Sequence, residues 1–211
     1  MSDALDVDGL ERKAYHVYNE DGLLDIMTGF MMSFIGYYVL SEVDIPFAPF
    51  LAIFGPAVWA SLKKAVTEPR IGQVKFGPGR RSRQQKVIAV FAVAVNVLLV
   101  LSFFVNTGPL LGPWRTTLYT YGVILVGSGV VSLILFTIGH FNEVSRFKMY
   151  AAVSVPMFVA GHFLTDPVLD LFQRLAYVMI PLGLMMLAYG GVTLWRFVRK
   201  YPKITDVGVD G

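Results

Sequence analysis

Cysteine is absent from the 211 residues, so disulfides, Cys-ligated zinc and iron–sulfur clusters are excluded. Charge is scarce: Asp, Glu, Lys and Arg make up 16% of the chain, against about 25% in a typical soluble domain. Histidine is limited to His16, His140 and His162, too few and too dispersed for membrane di-iron chemistry. The His-Glu-x-x-His signature of metalloproteases is missing, and so is the Gly-Lys-Ser/Thr ending of a phosphate-binding P-loop. What is abundant is apolar sequence, 55% of all residues. A soluble globular protein of this size could not bury so much of it. The composition excludes a soluble enzyme, a disordered chain and a disulfide-stapled domain, and it predicts an integral membrane protein.

Six apolar runs carry that excess: Leu23–Leu40, Ile45–Leu62, Val87–Val105, Leu118–Gly139, Met149–Leu164 and Leu175–Trp195. Each is near the roughly 20 residues that a helix needs to cross hydrocarbon. Lipid cannot satisfy the free edges of a strand, and the alternation of a transmembrane barrel is missing, so the runs are read as helices. The expected fold is all-α, a polytopic six-helix membrane bundle over 23–200. A cytoplasmic segment at 1–22 and a short polar tail at 201–211 flank it.

Basic residues support the count. With six spans, 16 of the 18 Lys and Arg fall on the side that also holds both chain ends, leaving Arg115 and Arg174 opposite. The positive-inside rule makes that side cytoplasmic, in an inner or plasma membrane. Trp59, Trp114 and Trp195 fall at span ends, where indole rings favour the interface. The first 22 residues hold six acids and two basic residues and no apolar core, so no cleavable signal is expected there.

Outside the spans, Leu10, Ala14, Val17 and Tyr18 share a face of an expected interfacial helix over Gly9–Glu20, which Asp21-Gly22 ends. The loop Lys63–Lys86 holds eight basic residues and one acid. Its stretch Glu68–Phe76 has strand-like composition, and Gly77-Pro78-Gly79 signals a turn. The loop reads as a topology determinant touching anionic headgroups. A bound phosphorylated ligand and a docked cytosolic partner are the other readings, with Arg70, Lys75, Arg80, Arg81 and Arg83 as the contacts. One short membrane-pinned loop does not suit nucleic acid.

Inside the spans, Asp25, Thr28, Gly29, Met32, Ser33 and Gly36 form a small, polar face on span one, suited to helix contact. Asp25 is the only acid within a predicted span. It reads either as a helix-terminus residue that caps or is hydrated at the interface, or as an ion, proton or substrate group. Asn96, deep in span three, is a candidate for an interhelical hydrogen bond or a ligand contact. Gly29 and Gly36, Gly122 and Gly129, and Gly183 and Gly190 are each seven apart, a spacing for close helix approach that is also compatible with an inverted repeat. Pro56, Pro156 and Pro181 interrupt spans two, five and six.

The start Asp21-Gly22…Asp25 resembles the opening of the CDP-alcohol phosphotransferase motif, but Leu23-Leu24 follows it and no later acid lies at the required spacing, so membership is rejected. No catalytic, cofactor or metal residue is assigned. The expected function is a non-enzymatic transport or substrate-binding unit, or a membrane subunit of a larger assembly, with a cavity near spans one, five and six. The alternative is a structural or regulatory membrane protein acting through the basic loop 63–86.

Overall fold

The computed structural model describes residues 17–41, 57–72, 89, 93, 121, 123–165 and 171–203. Among them the chain is helical and forms no strand. We label the helices α1 (Leu23–Leu40), α2 (57–71), α3 (Val123–Phe141), α4 (Ser145–Leu164) and α5 (Leu171–Lys200). Three of the described helical stretches, Val17–Leu40, Ser145–Leu164 and Gln173–Lys200, are long and apolar enough to cross a membrane, and Val126–Phe141 is a shorter apolar helix. Their outward faces carry large apolar groups such as Phe30, Phe136, Leu184 and Trp195, a surface suited to lipid rather than water. Apart from the isolated residues Ala89 and Val93, the third expected span lies outside the described residues, as does the second up to Pro56.

Glycine determines how α1 and α5 meet. The two helices run antiparallel, with Gly29 against Gly183 and Gly22 against Gly190. A Cβ on Gly29 would stand 2.6 Å from the Gly183 carbonyl oxygen and 2.8 Å from the Leu187 nitrogen. Each seven-residue step along α1 matches a seven-residue step back along α5, two helical turns in each case. The backbones touch because no side chain stands between them. Gly129 behaves otherwise: a Cβ there would meet nothing within 4 Å among the described residues. α3 uses a different face, packing on α4 through Gly139 and through Ser132, whose hydroxyl donates to the Ala151 carbonyl at 2.8 Å. Leu135, Phe147, Phe158, Leu182 and Met186 form the apolar core between these helices. α4 and α5 run on through Pro156 and Pro181.

Two boundaries differ from the sequence reading. α5 spans 30 residues, so its last turns, with Arg196, Arg199 and Lys200, continue past the apolar run. The stretch from Glu68 does not start as a strand. Residues 57–71 are one helix, which includes a π-helical turn at Lys63–Thr67 and ends at Gly72 with φ 82°. One feature favours helix here, against Pro69, which lacks an N–H for the ladder near the end of this helix. Lys63 and Thr67, four residues apart, both bond to Asp21, which requires helical spacing.

Candidate functional site: a buried ionic junction beside a basic cleft

The chain turns at Asp21-Gly22, where Gly22 takes φ 76°, a conformation glycine adopts without steric cost. Asp21 Oδ1 accepts the Leu23 N–H at 3.1 Å, so the acid outside the helix, not Asp25, closes the first turn of α1. Asp21, before the Gly22 turn, and Asp25, in the first turn of α1, are both fully buried.

Each carboxylate is gripped by a cation and a hydroxyl that are themselves four residues apart on another helix. Asp21 is held from α2. Lys63 Nζ stands 2.6 Å from Oδ2, and the Thr67 hydroxyl donates to the same oxygen. Lys63 also donates to the Tyr18 carbonyl and sits over the Tyr18 and Trp59 rings. Burial pushes the Lys63 ammonium below the ordinary lysine range, and the Asp21 charge opposes that shift. Asp25 is held from α4. The Tyr150 hydroxyl donates to Oδ1 at 2.9 Å, and Arg146 Nη2 lies 3.0 Å from Oδ2. That ion pair is short but off the hydrogen-bond direction, since Oδ2 has no hydrogen-bonded donor. Arg146 also donates to the Asn19 carbonyl at 3.2 Å. Asp25 is buried, and its carboxylate joins α1 to α4.

The junction opens on one side. A cleft of about 200 Å³ lies where α1 begins, α4 begins and α5 ends, lined by Glu20, Arg146, Tyr189, Thr193, Arg196 and Lys200 among others. It adjoins the helices expected to flank a cavity, but at the end of the bundle and not at mid-membrane. Arg146 links junction and cleft, as its guanidinium contacts Asp25 and also forms part of the lining. The Lys200–Glu20 pair across the rim is loose, 3.4 Å apart and exposed on both sides. Tyr150 and Tyr189 meet in a T-shaped ring contact, with centroids 6.3 Å apart.

Other sequence candidates are not brought into this site. Arg70 folds back on its own helix, donating to the Val66 carbonyl at 2.6 Å. Lys75, Arg80, Arg81, Arg83 and Asn96 lie outside the described residues. His140 stacks near Phe136, whereas His162 lies 3.5 Å from Arg174 at the other end of α4. No group of three metal-ligating side chains occurs among the described residues.

Composition and span counting assign Lys63 and Arg146 to topology alone, yet both are central here. A legible signal existed. Lys63-x-x-x-Thr67 and Arg146-x-x-x-Tyr150 each align two polar groups on a helix face, at span ends that six crossings place on the same side as Asp21 and Asp25.

No family model, curated protein or solved structure matches the chain.

Proposed function

We propose that this is a six-span protein of an inner or plasma membrane, with both termini cytoplasmic. In this reading it works without catalysis, as a substrate-binding or transport unit or as the membrane subunit of a larger assembly. The sidedness of the basic residues supports the topology. The functional reading rests on one observation, the buried Asp25–Arg146–Tyr150 junction, of which Arg146 also lines an open cleft.

The energetic argument is comparative. Taking two charges out of water is costly, and a buried ion pair is often no more stabilising than an apolar contact of the same shape. Apolar residues would join α1 to α4 at least as well. Charge next to an opening is useful if something enters and makes contact with it. Polar groups inside membrane proteins commonly mark such pathways.

The test is native mass spectrometry of the full chain extracted from its own membranes in mild detergent. A discrete 1:1 adduct, whether solute, lipid or protein, is expected on the wild type and is expected to be lost from Thr193→Leu, which fills the cleft. A wild type that carries no adduct, or an adduct indifferent to Thr193→Leu, overturns the reading.

A further inference from the structure

We infer that the cleft is a site for a phosphate-bearing anion, the headgroup of an anionic phospholipid. The inference deepens the binding-unit reading by naming the class of ligand for the same site.

Three cations line the cleft, Arg146, Arg196 and Lys200, against the single carboxylate of Glu20. Arg196 has no ion-pair partner among the described residues, and Glu20 is only loosely attached to Lys200, at 3.4 Å. An incoming anion can therefore displace Glu20 with little loss. Arg146 is positioned more firmly. Its Nη2 is fixed by Asp25 and the Asn19 carbonyl. Its Nε is buried and has no acceptor among the described residues, and the same holds for Nδ2 of the neighbouring Asn19. Unsatisfied polar groups thus cluster behind the opening, the Asp25 Oδ2 acceptor as well as these two donors, and Arg146 is the member that reaches the lining, where it can meet an acceptor-rich ligand. A phosphate supplies several anionic oxygens and suits the planar guanidinium fork. The Tyr189 hydroxyl on the lining adds a donor to the same anion, whereas that of Thr193 donates to the Tyr189 carbonyl at 2.8 Å.

Location favours a lipid over a free solute. The cleft lies at the end of α5, beside Trp195, which is 55% exposed and carries Arg199 over its ring at 4.0 Å. Exposed indole flanked by cations is the pattern of the headgroup layer. Tyr189 and Val192, 45% and 48% exposed, continue an apolar flank where acyl chains can lie.

The experiment uses the delipidated full chain in detergent, given equal amounts of phosphatidylcholine and phosphatidylglycerol, with retained lipid counted by native mass spectrometry. Wild type is expected to retain one phosphatidylglycerol in preference to phosphatidylcholine. Neutralising a basic group at a membrane surface weakens anion binding about fivefold, so Arg196→Gln/Lys200→Gln is expected to weaken retention by tenfold or more. Both side chains are exposed, so the fold is expected to survive, which thermal unfolding of the variant verifies. Arg199→Gln, a cation of the same helix end that is not on the lining, is expected to retain the lipid as wild type does. Inorganic phosphate is the competing probe. Phosphatidylglycerol held against excess phosphate assigns the site to the headgroup, and its displacement assigns the site to the free anion, both within the same chemistry. Equal retention of the two lipids, an unaffected double variant, or an equal loss in Arg199→Gln overturns the inference. A discrete adduct of other chemistry on native material would then leave the binding-unit reading standing.

Discussion

Removing one charge from the Asp25–Arg146 pair leaves the other buried against α1, the condition that makes single substitutions in such pairs more damaging than removal of both. Breaking a buried pair from one side costs about 3–5 kcal/mol. Asp25→Asn keeps an acceptor for the Tyr150 hydroxyl, so its effect isolates the lost charge. We expect Asp25→Asn and Arg146→Gln each to destabilise the protein strongly, and the double variant to be less unstable than the sum of the two. A double-mutant cycle on reversible unfolding in mixed micelles measures that coupling. Strictly additive losses would mean that the 3.0 Å separation carries no energetic pairing. The junction also marks a limit of reading residues one at a time. Asp25 was visible as an acid at the start of an apolar run, and its polar environment was expected. Its partner was not, because Arg146 and Tyr150 are 121 and 125 positions away and only the fold brings them close.

At the scale of helices, seven-residue glycine spacing in three spans predicts three close approaches, yet it describes only one interface among the described residues. Gly29 and Gly183 face each other across α1 and α5, whereas Gly129 is exposed and a Cβ there would meet no described residue within 4 Å. Spacing tells which residues share a face of their own helix; it does not tell which helix, if any, lies opposite. The consequence is a contrast within one chain. Gly29→Val is expected to force α1 and α5 apart and destabilise the bundle by about 1–3 kcal/mol or more, since the new Cβ meets backbone on both sides and backbone cannot yield like a side chain. Gly129→Val, at an exposed position with no described residue within 4 Å of its Cβ, is expected to change stability little. Thermal unfolding of the two variants in the same detergent checks the pair. A Gly29→Val protein as stable as Gly129→Val would refute close contact of α1 and α5. The helical start of the basic loop has a related cause: β-like composition over Glu68–Phe76 is a weak preference, and the bonds from Lys63 and Thr67 to Asp21 outweigh it at its beginning.

At the scale of the molecule, the two gripped carboxylates and the basic cleft share one end, where α1 and α4 begin and α5 ends. Six crossings put those positions on the side that holds 16 of the 18 basic residues. The arrangement changes what that bias means. A cation that sets topology need only remain near the surface, but Lys63 is buried on Asp21 and Arg146 on Asp25, so part of the positive side is consumed in joining helices. Arg196, Arg199, Lys200 and Lys203 remain to interact with the membrane surface from α5 and the residues after it. The natural absence of cysteine makes the orientation directly measurable. Single cysteines at Ser41, Ser82 and Thr165 give three reporters, beyond the ends of spans one and five and within the basic loop. With a membrane-impermeant maleimide on intact cells, Ser41→Cys and Thr165→Cys are expected to label, and Ser82→Cys only after the cells are opened. Labelling of all three from one side would remove the six-span arrangement. Ser82→Cys alone labelling on intact cells would keep the count and invert the protein, and the cleft would then face the outer leaflet, where anionic phospholipid is scarce. The lipid inference and the proposed orientation are therefore linked: with the basic end in the cytoplasm, the cleft meets the leaflet that carries anionic headgroups.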